Sequence, residues 1–146
     1  MEEEMSGIRP RSFAVGIAAL AATCIAAPAF SAPLDVGDLQ GAWAQESFAC
    51  DQVYTTGKAR TDFKKPRNIF AAAFIVSGSR LTTPGATCKI LSITSAGDRK
   101  LLSLSCATAI GVDAVKTQIS RAQDGSLRRY LNKDDPVGSK YDRCGR

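Results

Sequence analysis

The side chains with chemistry to offer are a set of cysteines, one run of cations and a scatter of carboxylates. Lys58, Arg60, Lys64, Lys65 and Arg67 fall within ten residues, around Phe63 and Pro66. Five cations beside one aromatic suit a phosphate, an acidic polysaccharide or a nucleic acid. They equally suit a solvated loop that keeps the chain soluble. They are the candidate anion-binding residues. The stretch contains no phosphate-cradling glycine loop and no specific nucleic-acid motif. Histidine is absent from the whole chain. That removes the commonest general base and metal ligand, and with it Ser-His-Asp and Cys-His catalysis. The acids stand singly apart from Asp134-Asp135, where a turn pair in water is expected, so no carboxylate dyad is legible. The expectation is a non-catalytic protein with no cofactor and no metal.

The cysteines have a different chemistry. Cys50, Cys88, Cys106 and Cys144 form an even set once Cys24 is assigned to a removed leader. No Cys-x-x-Cys occurs, which argues against a thioredoxin-like redox role. In an oxidising compartment two disulfides are a better use of four cysteines than an all-cysteine zinc site.

That compartment is implied by the N-terminus. Arg9 and Arg11 precede an apolar, Ala-rich run over residues 13–27, followed by Ala27-Pro28-Ala29 and Ser31-Ala32. This is the order of a secretory signal peptide: a basic region, an apolar region and small residues at the exit. Cleavage is expected after Ser31 or Ala32, with residues 1–32 removed and residues 33–146 left as one domain. Glu2, Glu3 and Glu4 are out of place in a basic region, and Met5 is an alternative start. An uncleaved anchor would need about 20 strongly apolar residues, whereas this run is mostly Ala and meets Pro28. A lipoprotein modified at Cys24 would need a smaller residue than Thr23 before it. The expected location is periplasmic or secreted, with no membrane span after cleavage. Losing Arg9, Arg11 and the three N-terminal Glu leaves 17 basic and 11 acidic residues, net +6. Such a balance favours anionic surfaces or acidic proteins as partners.

Positioning these residues falls to strands. Residues 87–94 and 100–108 are rich in Ile, Leu, Ser and Thr, and Gly97-Asp98 between them carries turn chemistry. They read as a hairpin. A loop centred on Gly97 places Ser92 opposite Leu102, Ile90 opposite Leu104 and Cys88 opposite Cys106, all on one face. Directly opposed residues lie close enough for a disulfide. A one-residue slip breaks this register, and four cysteines allow other pairings, Cys50–Cys88 among them. Given the hairpin bridge, Cys50–Cys144 remains. It would close about 95 residues and be worth up to about 4.7 kcal/mol in the chain-entropy estimate, against about 3 for the hairpin loop.

The rest of the mature chain is read in order. Asp35 or Asp38 is placed to cap a short helical turn. Gly41-Ala42-Trp43 opens a strand reaching towards Phe48, with Trp43 as a core plug. Residues 57–68 read as a polar loop. Residues 69–76 (IFAAAFIV) read as a strand, its alanines placed where a neighbour packs closely, although three alanines also suit a helix. Leu81-Thr82-Thr83 reads as a strand and Pro84-Gly85 as a turn. Residues 112–121 alternate, with Val115, Thr117 and Ile119 on one face, as a half-exposed antiparallel strand does. Asp124-Gly125 suits a type I′ turn into a returning strand over 127–132. Residues 133–140 are a polar loop, and Tyr141 to Cys144 closes the chain. Short strands joined by Gly, Asp and Pro turns give an all-β fold, a small antiparallel barrel or sandwich stapled by two disulfides.

Asp38-Leu39-Gln40-Gly41-Ala42-Trp43 resembles the Gly-x-Trp opening of lipocalin-like barrels, which bacterial periplasmic metalloprotease inhibitors share. The first resemblance implies a carrier of a small apolar ligand. The second implies protease inhibition by the mature N-terminus near Pro33-Leu34-Asp35. Taken whole, the chain is similar to small exported bacterial proteins of uncharacterised function. The residues that carry this likeness are Cys50, Ala86-Thr87-Cys88, Cys106-Ala107-Thr108 and Tyr141-Asp142-Arg143-Cys144. It implies no activity. The functional expectation is an exported binding or interaction protein.

Overall fold

In a computed structural model, residues 36–57 and 60–145 are described. The expected signal peptide, Pro33 to Asp35 and Lys58 lie outside them. A single 3-10 turn, η1 (Gly37–Leu39), leads into β1 (Gly41–Gln45). An excursion follows: a one-turn helix α1 (Cys50–Val53), then β2 (Tyr54–Thr56) and β3 (Thr61–Phe63). The chain then runs through β4 (Ala73–Ser77), β5 (Arg80–Thr82), β6 (Thr87–Ala96) and β7 (Arg99–Ala107). It ends with β8 (Val112–Arg121), β9 (Leu127–Tyr130) and β10 (Ser139–Cys144). Eight strands close in the order β1-β10-β9-β8-β7-β6-β5-β4, and β2 and β3 form a separate antiparallel pair. Of the two architectures expected, the barrel is the one formed. Closure removes the edges that an open sheet of this size would expose.

The alternation along the strands divides the apolar residues between two cores. Inside the barrel, Trp43, Ile90, Leu102, Ile119, Leu127 and Tyr141 pack together with Leu39 of η1. Trp43 is 0% exposed, and its indole N–H donates to the Leu39 carbonyl at 2.8 Å. Outside the barrel, Ala42, Ala44, Ala71 and Ala73 receive Val53, Tyr54 and Phe63 from the excursion. Ala71 and Ala73 therefore do lie under a closely packed neighbour, whereas Ala72 faces the barrel interior. The Tyr54 hydroxyl reaches the carbonyls of Trp43 at 2.7 Å and Phe74 at 3.1 Å, tying α1–β2 to β1 and β4. Burial pushes the Tyr54 phenol well above its ordinary range.

Both expected disulfides form. Cys88–Cys106 bridges a directly opposed pair of β6 and β7. Cys50–Cys144 fastens α1 to β10, across a sequence separation of 94. The first faces the barrel interior and the second joins the outer core.

Several expectations are corrected. The β6–β7 loop has two residues, since Ala96 pairs with Arg99. Gly97, at φ +64°, occupies the first central position, where a type II′ turn requires glycine. This centre differs by half a residue from the one that aligns the cysteines. The register therefore shifts between Ile90 and Ser92, so Ser92 faces Ser103 and Ile93 faces Leu102. The extra residue is Leu91, which is exposed while Ile90 and Ile93 both point inward. A bulge of this kind absorbs one residue and re-aims the strand.

The β8–β9 connection is not a type I′ turn. Gly125 has φ +82° and no non-glycine residue has positive φ among the described residues. The Gly125 N–H bonds to the Ala122 carbonyl, and the Ala122 N–H to the Ser126 carbonyl. That is a three-residue loop with glycine in the left-handed place. Asp124 accepts from the backbone N–H and hydroxyl of Ser126, which hold its carboxyl down at about 2. No side chain caps η1. Gln40 instead donates to the Val36 and Gly78 carbonyls and accepts from the Gly78 N–H, clamping η1 to the β4–β5 turn. β1 stops at Gln45, β9 at Tyr130, and the 57–68 stretch contains β3 rather than being loop throughout. In the 69–76 run the strand begins only at Ala73, and Ile69 and Phe70 are exposed.

Candidate functional site

Antiparallel order puts the turns at two ends. The β5–β6 and β7–β8 turns and the β1–β4 excursion lie at one end; η1 and the β4–β5, β6–β7 and β8–β9 turns lie at the other. The η1 end is shut. Lys100 pairs with Asp38 at 3.1 Å, and the Arg121 guanidinium donates to the Asp38 carbonyl. The guanidiniums of Arg121 and Arg143 lie 5.9 and 5.6 Å from the centre of the Trp43 ring. Arg143 also donates to the Gln40 carbonyl at 3.1 Å. A side chain on residue 41 would come within 3.3 Å of Arg143, and Gly41 has φ +113°. Glycine is required there by both the backbone and the passing guanidinium.

The opposite end is not filled. A cavity of about 470 Å³ runs between Leu81, Leu102, Leu104 and Ile119 and reaches Pro84, Gly85 and Thr108 in the turns. Phe74, Val115 and the Cys88–Cys106 bridge also face it. The reason is side-chain size. Ala72 and Ala86 line this space, whereas Trp43, Ile90 and Leu127 fill the rest of the interior. Thr83, Thr108, Asp113, Thr117 and Arg129 break the apolar lining. The Arg129 Nε–H donates to the Thr117 hydroxyl at 3.3 Å. Ile69, Phe70 and Ile110 stand exposed in the connections at this end, and Val112 at the start of β8. Such a space can hold a molecule of modest size, apolar along most of its length, with a polar end near Arg129.

A second hollow of about 470 Å³ lies beside β3, over the outward faces of β4 and β5, and runs onto the rim of the η1 end, where Gly41, Arg143 and Gly145 line it. Arg60, Arg67, Arg80 and Arg143 line it, with Phe63 and Ile75 and a single carboxylate, Asp62. Arg60 and Asp62 pair at 3.9 Å, both well exposed. Arg67 lies 5.5 Å from the centre of the Phe63 ring. Of the five cations expected to bind anions, the structure brings Arg60 and Arg67 together here. Lys64 lies beside other shallow hollows near Val53 and Cys50, and Lys65 is exposed outside this cleft.

Sequence reasoning missed Arg80, Arg143 and the cavity-lining Arg129. Arg129 carried a signal: it alternates in step with Leu127, so it shares the inward face. Arg143 stands in step with Tyr141 in the same way. Arg80 opens a three-residue strand, too short for any period to show. The chain matches no protein-family model, no curated protein and no solved structure.

Proposed function

We propose that the chain is an exported, non-catalytic binding protein that carries a small apolar ligand inside its barrel. One observation carries the reading: the interior has about 470 Å³ of space lined mainly by aliphatic and aromatic side chains. Apolar pockets of roughly 300–1,000 Å³ with a few convergent polar groups are the usual form of small-molecule sites. Thr117 and Arg129 supply the polar groups, and the exposed apolar residues at the open end favour entry of an apolar molecule. The Gly41-x-Trp43 likeness to lipocalin-like barrels points the same way. Two disulfides suit an oxidising compartment such as the periplasm.

The test is titration of the mature domain with the apolar fluorophore N-phenyl-1-naphthylamine. Saturable binding is expected in the wild type. Ala86→Phe fills the cavity and should weaken binding at least tenfold. Ala114→Phe, on the exposed outer side of β8, should leave it unchanged. Equal binding by all three folded proteins, or none by the wild type, would overturn the proposal.

A further inference from the structure

The arginine-lined cleft runs from the outer wall to the rim of the η1 end, and its chemistry differs from that of the barrel interior. Its four guanidiniums come from distant parts of the chain: Arg60 before β3, Arg67 after it, Arg80 in β5 and Arg143 in β10. Gathering like charges in one concavity raises the energy of the empty protein unless something neutralises them. Among the described residues Asp62 is the one carboxylate in the lining, and its exposed 3.9 Å pair with Arg60 compensates little. Among the described residues, the Arg80 guanidinium has no hydrogen-bond, ion-pair or ring partner. The fold nevertheless holds two of the four in place. Arg143 is fixed by the Gln40 carbonyl and the Trp43 ring, and Arg67 rests on Phe63. These contacts leave each guanidinium with N–H donors to spare, and a held guanidinium binds oxyanions through paired charge-assisted hydrogen bonds. Hydroxyls of Thr61, Ser77 and Thr82 in the same lining add donors.

We infer that this cleft binds a small anion carrying two or more phosphoryl groups. The excess of guanidinium over carboxylate exceeds what one monoanion can neutralise. The volume, about 470 Å³, suits a small molecule. The concavity gathers charge at one place, whereas a polymer-binding face would spread it along a strip.

Calorimetric titration of the mature domain with inorganic tripolyphosphate tests the inference. Orthophosphate, sulfate and citrate serve as comparison anions. One site is expected, with tripolyphosphate bound at least tenfold more tightly than orthophosphate, sulfate or citrate. Arg80→Gln should weaken tripolyphosphate at least tenfold, the effect of losing one charge-assisted hydrogen bond. Arg67→Gln should act in the same direction. Lys116→Gln, on exposed β8 outside the cleft, should change binding less than twofold. Melting temperature checks that each variant is folded. No binding by the wild type at low salt would overturn the inference, as would equal losses in Arg80→Gln and Lys116→Gln. So would citrate bound as tightly as tripolyphosphate. Binding of N-phenyl-1-naphthylamine should be unaffected by Arg80→Gln, so failure of this site leaves the barrel reading standing.

Discussion

Tyr54 shows how one side chain couples the two cores. Its ring sits among the outer-core residues while its hydroxyl reaches the backbone of β1 and β4. An unmet buried carbonyl costs about 1–3 kcal/mol, so Tyr54→Phe should lower stability by about that much near neutral pH. Burial raises the phenol's pKa in the folded protein above its unfolded value of 10.0. The folded chain therefore keeps a proton that the unfolded chain releases above pH 10, and stability falls as pH rises beyond that point. Urea unfolding between pH 7 and 11 should show the wild type losing its advantage over Tyr54→Phe in the alkaline arm. A difference that stays constant with pH would refute this account of Tyr54. The role of this tyrosine was not legible in the sequence, because nothing in Cys50-Asp51-Gln52-Val53-Tyr54 signals that the segment folds back over β1. Trp43 was legible: a lone tryptophan opening a strand is a large apolar area that has to be covered.

At the scale of the element, the β6–β7 hairpin shows what residue spacing can and cannot specify. Opposition of Cys88 and Cys106 was expected from alternation about Gly97, and the Leu91 bulge is what preserves it across the two-residue loop that forms. That bulge was not expected, because a two-residue loop and a three-residue loop differ by half a step that composition does not report. Deleting Leu91 should remove the mismatch. Cys88 and Cys106 would still oppose each other across a two-residue loop, and Ile90 and Ile93 would still point inward. Deleting Ser103 on the facing strand should double the mismatch instead. Non-reduced peptide mass spectrometry should find the Cys88–Cys106 bridge in the Leu91 deletion and scrambled or free thiols in the Ser103 deletion. The reverse pattern would show that the bulge does not absorb the register shift. Similar reasoning explains the 69–76 run. Its apolar character was read correctly, but Ile69 and Phe70 lie before the strand, at the open end of the barrel, where an exposed apolar pair is unexpected from patterning alone.

For the molecule as a whole, the all-β class and its staples were readable, whereas closure and the hollow interior were not. Strand number, turn chemistry and cysteine parity converge on a disulfide-bonded antiparallel domain, barrel or sandwich. Whether a barrel is packed or hollow depends on which small residues meet at one level of several strands. Here Ala72 and Ala86 meet where β4 and β6 begin, beside Val115 and Thr117 of β8. That coincidence is set by strand stagger, which a linear sequence does not display. The cationic cleft is a three-dimensional coincidence of the same kind. The sequence offered Lys58, Arg60, Lys64, Lys65 and Arg67 as one local cluster, whereas the fold combines Arg60 and Arg67 with Arg80 and Arg143.

Native mass spectrometry of the protein isolated from its own host cell, without extraction by organic solvent, tests the barrel reading most directly. The account predicts a species heavier than the mature chain by one small apolar molecule. That molecule should be released by organic solvent, absent from Ala86→Phe, and retained by Arg80→Gln. A wild-type protein found only at its bare mass and unable to take up N-phenyl-1-naphthylamine would contradict it, as would an adduct equally abundant in Ala86→Phe.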